Sequence, residues 1–510
     1  MDIGVRLNKS DFLYDVHSLV KAFFPDDDVS VFTDSDTDRC GAARDILFEA
    51  EIPDYVNRKE AKDNLKRTLY ETLSDFTGKT LPWGTLSGIR PTKIPTKMLD
   101  EGRSPAEITS YMKENYLVSD RKIALALEVA ENEKKILQGI PLGADSYSLY
   151  LNIPFCPSIC LYCTFSSSPV SLWEKRIDEY LDTLIREMKG RAPKPQTIYI
   201  GGGTPTALLA QQLEKLLSAV SENCGQPAAD GSIAVKDSAQ ACGTQLPSSA
   251  DASGFTGKDS AQACGTQADQ FFLHGIREFT VEAGRPDSIT AEKLAVLKKY
   301  GVTRISVNPQ TMNQKTLDLI GRKHTVEDTV RAFHLAREAG FDNINMDIIL
   351  GLPGEDLPEV EHTLEEIEKL SPDSLTIHSL AVKRASRLKK DLREEIEEGK
   401  SSDFSHYEGL SFHNSDEIIE RAYACARGMG MRPYYLYRQK DMKGGLENTG
   451  FAREGKECLY NILIMEELQD IRAFGAGASS KTVSPDGRIE RKINPKDVRT
   501  YLLRQAGQEA

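Results

Sequence analysis

From Tyr147 onward, short apolar runs alternate with longer stretches in which apolar residues recur every three to four positions. The runs at 149–153, 197–200, 278–282, 304–308, 343–350 and 374–378 read as strands. The stretches at 173–188, 291–300, 326–339 and 357–370 read as amphipathic helices between them. Strand and helix in strict alternation predict an α/β fold, a parallel sheet covered by helices. Right-handed crossovers then curl six such units into an open (β/α)6 barrel, a partial barrel of the TIM type. In barrels of this kind, chemistry gathers at the C-terminal ends of the strands.

Outside this region the pattern changes. Residues 1–140 mix a strand at 29–33 with amphipathic helices, one marked by Leu65, Leu69, Leu73 and Phe76 and closed by Gly78. They read as an N-terminal α+β extension, followed by the barrel over 141–384 and a mostly helical C-terminal domain over 385–510. The run from Trp83 to Pro95 is punctuated by Gly and Pro and carries basic residues; it reads as an ordered turn or as a contact for a partner or substrate. Lys236-Asp-Ser-Ala-Gln-Ala-Cys-Gly-Thr-Gln245 recurs unchanged as Lys258 to Gln267. The surrounding stretch, 223–268, is poor in apolar residues and reads as a disordered insertion. Cys242 and Cys264 invite a metal reading, and duplication of the repeat is the simpler account of both.

At 510 residues the chain is long enough for several domains, and its net charge of -13 argues against general affinity for nucleic acid. No apolar stretch approaches the length of a membrane span, and the N-terminus lacks a signal-peptide pattern. Nine cysteines without a disulfide framework suit a reducing cytoplasm.

Three of those cysteines stand in one run, Cys156-Pro-Ser-Ile-Cys160-Leu-Tyr-Cys163, directly after the first barrel strand. Three thiolates on one loop can hold three irons of a [4Fe–4S] cube and leave the fourth iron open to a small molecule. A zinc loop would want a fourth Cys or His at short spacing, and none follows. After the second strand comes Gly201-Gly-Gly-Thr-Pro-Thr206. Consecutive glycines let the backbone approach a ligand closely. The Gly-Lys-Ser/Thr ending of a phosphate loop is absent, so the turn suits an amino-acid head group beside the cluster.

Together these motifs resemble the radical S-adenosylmethionine (SAM) superfamily. The runs Ser148-Leu-Tyr-Leu-Asn-Ile-Pro-Phe-Cys156, Thr280-Val-Glu-Ala283, Arg304-Ile-Ser-Val-Asn-Pro-Gln310, Gly321-Arg-Lys-His324 and Asn345-Met-Asp-Ile-Ile-Leu-Gly-Leu-Pro-Gly354 are similar to the oxygen-independent coproporphyrinogen III oxidase family. The long N-terminal extension, Tyr434 to Lys440 and Glu457 to Met465 resemble its HemZ branch. The resemblance implies that Cys156, Cys160 and Cys163 ligate the cluster while Phe155 shields it. Tyr150 would pack near bound SAM, and Gly202, Gly203 and Thr204 would contact the methionyl amine. Glu282, Gln310, Arg322 and Asp347 would position the rest of SAM, Arg322 by pairing with its carboxylate.

The implied reaction is oxidative decarboxylation of coproporphyrinogen III propionates to vinyl groups, through a 5′-deoxyadenosyl radical, by a monomer served by a separate electron donor. The tetrapyrrole carries four carboxylates. Lys383, Arg384, Arg387 and Arg438 are candidate anchors, or else part of a solvated basic turn. The run Phe474-Gly-Ala-Gly-Ala-Ser-Ser480 reads as a close approach to a ligand or as a turn between packed elements. Cys425 and Cys458 read as small core residues. Two positions depart from the enzyme branch: Phe165 replaces a fourth Cys, and Asn152 replaces the His before Ile-Pro-Phe-Cys. The haem-chaperone branch shares an aromatic at the first. Haem binding without oxidation is therefore the alternative, followed by radical chemistry on another substrate.

Overall fold

A computed structural model describes residues 1–25, 27–36, 44–88, 90–143, 146–224, 275–381, 413–439, 446–484 and 486–507. Both repeat copies with Cys242 and Cys264, the basic residues Lys383, Arg384 and Arg387, and the expected boundary at 384/385 lie outside the described residues.

The N-terminal part builds a small core of its own. Strands β1 (Asp2–Leu7), β2 (Asp28–Thr33) and β3 (Ile46–Ala50) form a parallel sheet in the order β2-β1-β3. Val5, Val16, Leu65, Leu69 and Leu73 pack in one cluster between this sheet and the helices Leu13–Phe23 and Arg58–Thr77. The Asn57 side chain caps the second helix, and Gly78 ends it at φ 66°, a conformation that disfavours a side chain.

The barrel strands are β4 (Tyr147–Ile153), β7 (Thr197–Gly202), β8 (Glu278–Gly284), β9 (Arg304–Val307), β10 (Ile344–Leu350) and β11 (Ser374–Ser379). All six segments expected as strands are strands, and neighbours pair in parallel in chain order. Between β4 and β7 the short pair β5 (Phe155–Cys156) and β6 (Ser168–Pro169) closes the base of the cysteine loop. The expected helix at 173–188 is regular only from Ile177; two 3-10 turns precede it.

The C-terminal part supplies the helices Asp416–Gly428, Leu459–Met465 and Val498–Gln505, together with strands β12 (Arg432–Tyr437), β13 (Asn448–Ala452), β14 (Asp470–Phe474), β15 (Ser479–Val483) and β16 (Ile489–Ile493). These strands extend the sheet at both ends, to β12-β13-β11-β10-β9-β8-β7-β4-β14-β15-β16. Both edges of the open barrel are thereby paired instead of exposed.

The run from Trp83 to Pro95 straps the first part of the chain to the last. The Trp83 indole is buried and donates to Glu447 Oε2 at 2.7 Å, and Arg90 donates to Met465 O at 2.6 Å. Glu447 is fully buried with Lys122, whose Nζ lies 2.8 Å from it and 2.9 Å from Asp416.

Inside the barrel the floor is polar. Buried Arg304 donates to Ser374 Oγ at 3.1 Å, and Ser374 donates to Asn345 Oδ1 at 3.0 Å. The Glu278 carboxylate accepts from Leu459 N and Tyr460 N, capping the helix Leu459–Met465 at its positive end.

Candidate active site

The cysteine loop leaves the C-terminal end of β4 and is pinned on two sides. Ser168 N donates to Pro154 O at 2.8 Å, while Leu161 N and the Ser158 hydroxyl donate to Ile320 O and Gly321 O at 3.1 and 3.2 Å. The loop thus meets the Gly321-Arg322 turn, and Cys156, Cys160 and Cys163 face one cavity of about 390 Å³. Burial raises the Cys156 thiol, against an opposing hydrogen bond from Thr204, and pushes Cys163 up to about 11. Metal binding would therefore release protons from these thiols. Among the described residues no three His, Cys, Asp or Glu side chains converge on a single-ion site. A cube does not ask for that, since each thiolate takes its own iron.

The glycine turn after β7 lies against the loop. Gly203 N donates to Ile153 O at 2.8 Å and Thr204 N to Phe155 O at 2.7 Å. A Cβ at Gly203 would stand 2.7 Å from Phe155 O and 3.0 Å from Cys156 Sγ. Gly202, at φ 112°, has Asn152 where a side chain would go.

Glu282, at the end of β8, is partly buried and accepts from the Tyr199 hydroxyl at 2.5 Å. Burial, with a further push from the Asp347 charge, raises its carboxyl to about 7. Gln310 is a non-glycine residue at φ 71°, held there because its N–H donates to Asp347 O and its carbonyl accepts from Ile349 N. Asp347, on β10, accepts from Asn345 Nδ2 at 2.6 Å. Arg322 donates to Asn308 O at 2.6 Å and lies 3.9 Å from Cys160 Sγ.

Ten of the twelve residues expected from the sequence line this cavity: the three cysteines, Gly202, Gly203, Thr204, Glu282, Gln310, Arg322 and Asp347. Two stand behind its wall. Phe155 is fully buried against Trp173 and Tyr180, and Tyr150 lies in a stacked row with Tyr199 and Tyr460. Arg438 is turned toward Leu86 O and the Trp83 ring. Cys425 and Cys458 are packed among core side chains. At the departure, the Asn152 side-chain amide donates to Ala476 O, and a Cβ at Gly475 would lie 2.7 Å from the Asn152 backbone oxygen. The glycine run after Phe474 is thus a close approach between β14 and β4.

Sequence reading missed Tyr199, Ser306, Asn308 and Arg285, all lining the cavity. The alternation of β9 carried a signal, since 304, 306 and 308 share one face. Ser306 Oγ, Asn308 Oδ1 and Arg322 Nε are buried and have no hydrogen-bond partner within the protein. Each such atom costs about 1–3 kcal/mol unless a ligand meets it. Orphaned polar atoms, a glycine wall without room for a Cβ and a trio of thiols fit a cluster with a polar small molecule beside it.

An open parallel barrel with a three-thiol loop at its strand ends defines the class, and residues 152–367 match the Radical SAM superfamily. Proteins of this class use a [4Fe–4S] cluster and SAM. The oxygen-independent coproporphyrinogen-III oxidase-like protein HemZ of Bacillus subtilis (strain 168) is 38% identical over 463 residues, 89% of this chain and 81% of that one. The chain belongs to this HemZ branch of the oxygen-independent coproporphyrinogen III oxidase family. The haem chaperone HemW of the same organism is 35% identical over 46% of this chain and 50% of its own length. The solved structure of Escherichia coli coproporphyrinogen III oxidase (HemN) superposes with a TM-score of 0.48 at 21% identity, covering 74% of this chain and 73% of that one. No helix among the described residues is long and apolar enough to cross a membrane.

Proposed function

We propose that this chain oxidatively decarboxylates propionate side chains of coproporphyrinogen III to vinyl groups in the cytoplasm, giving protoporphyrinogen IX. The observation that carries the reading is the convergence of the three thiols and seven SAM-type residues on one cavity, in a chain whose HemZ relative spans nearly all of it. When bound, the cluster and SAM would supply radical chemistry able to attack an unactivated C–H bond of the substrate.

The protein's own residues bind and orient. Cys156, Cys160 and Cys163 would hold three irons. The backbone of Gly202, Gly203 and Thr204 would meet the methionyl amine, and Arg322 would pair with the carboxylate. Glu282, Gln310 and Asp347 would accept from or donate to the remaining polar groups of SAM. Tyr150 and Phe155 act from behind the wall, holding Asn152 and the loop base in place.

A second reading, stoichiometric haem binding, is favoured by one observation: Phe165, 76% exposed at the cavity, stands where the oxidase pattern has a fourth cysteine. Anaerobic incubation of the reconstituted protein with SAM, a strong reductant and coproporphyrinogen III separates the two. Vinyl product over many turnovers, absent in Cys160→Ala, is the expected result. Tight haem binding at one equivalent with no vinyl product would replace the proposal with the second reading.

A further inference from the structure

Two guanidinium groups approach one cysteine sulfur. Arg322 Nη1 and Arg285 Nη1 each lie 3.9 Å from Cys160 Sγ. Arg322 already has a place in SAM binding; Arg285 has none. Arg285 follows β8 and is only 4% exposed. Its Nε and Nη2 are held by the two carboxylate oxygens of Asp287, at 3.1 and 3.2 Å. The remaining nitrogen, Nη1, donates to Ser158 O and Ser158 Oγ at 3.2 and 3.0 Å and faces the sulfur. The fork is thus fixed on both edges, with its positive end toward the cysteine loop and Asp287 on the far edge.

We propose that Arg285 is a positioning and tuning residue: it sets the reduction potential of the cluster bound through Cys160, with Asp287 as its opposing charge. The inference rests on the cluster assignment made above. Reduction adds one negative charge to the cluster. A buried cation and an N–H donor beside a ligand sulfur stabilise the reduced form more than the oxidised form. Loss of Arg285 makes the potential more negative; loss of the Asp287 charge leaves the guanidinium unopposed and makes it less negative. A substitution that merely loosened the loop would not move the two in opposite directions.

The test is potentiometry followed by electron paramagnetic resonance on full-length protein, reconstituted anaerobically and titrated with dithionite, without SAM. For Arg285→Gln the equilibrium constant for reduction is expected to fall about tenfold, close to 59 mV for a one-electron couple. Asp287→Asn is expected to shift the other way, and Arg285→Lys, which keeps the charge and loses the fork, to fall between wild type and the glutamine variant. Equal potentials in wild type and Arg285→Gln, or shifts of the same sign in Arg285→Gln and Asp287→Asn, would overturn the proposal. So would an unchanged potential with lost SAM binding, which would make Arg285 a SAM ligand. Failure of wild type itself to give a reducible cluster signal would instead overturn the cluster assignment on which the proposal stands.

Discussion

Replacing Glu282 by Gln is expected to stabilise the unliganded protein at alkaline pH while weakening its hold on SAM. Burial is the main cause that lifts this carboxyl from 4.5 to about 7. The folded protein therefore keeps a proton that the unfolded chain releases between those two values. Its contribution to stability is complete below about pH 4.5 and is lost as pH rises through about 7. At roughly 1.4 kcal/mol per unit, the anion costs the fold up to about 3 kcal/mol above that range. Glutamine removes the charge and keeps an oxygen for the Tyr199 hydroxyl. Denaturant midpoints measured at about pH 5 and pH 8.5 should thus diverge, the variant gaining only at the higher pH. The same carboxylate is proposed to accept from SAM, and loss of a charge-assisted bond costs about 1.5–3 kcal/mol, so affinity should fall roughly tenfold or more. In wild type, SAM affinity should strengthen as pH rises toward 7, and this dependence should vanish in the variant. A variant that is less stable at high pH, or that binds SAM as wild type does, would refute the role given to Glu282.

Gly203→Ala should cost about 1–3 kcal/mol and lower cluster content, because the added carbon meets Phe155 O, which already accepts from Thr204 N, and crowds Cys156 Sγ. Gly428→Ala, at a helix end with open space around it, should cost nothing measurable in the same thermal melts. Lys122→Met leaves Glu447 buried without its cation and should destabilise by about 3–5 kcal/mol in urea unfolding, with partial recovery in the double variant Lys122→Met/Glu447→Gln. Asn345→Ala frees Asp347 from its 2.6 Å partner and should weaken SAM binding in calorimetry with little change in the cluster spectrum.

What could be read from the sequence was local. The cysteine loop, the glycine turn, Glu282 near the end of β8 and Asp347 within β10 lie on or within a few positions of an unmistakable strand, so their place in the barrel follows from strand periodicity. Contacts between distant segments could not be read. Trp83 meets Glu447, and β14 pairs with β4, across some three hundred residues of chain or more, and no periodicity encodes such partners. For this reason the C-terminal part reads as helical although it also supplies five strands to the sheet edges. Arg285 was invisible for a related cause. An arginine after a strand end is an ordinary surface residue until the fold shows Asp287 and Ser158 holding it against a cysteine.

The most direct test of the account follows hydrogen. Coproporphyrinogen III deuterated in its propionate side chains would be incubated anaerobically with reconstituted protein, SAM and reductant, and the 5′-deoxyadenosine examined by mass spectrometry. Deuterium in that product, in step with vinyl groups formed, is the expected result. Unlabelled 5′-deoxyadenosine, formed at the same rate with and without the tetrapyrrole, would contradict the account.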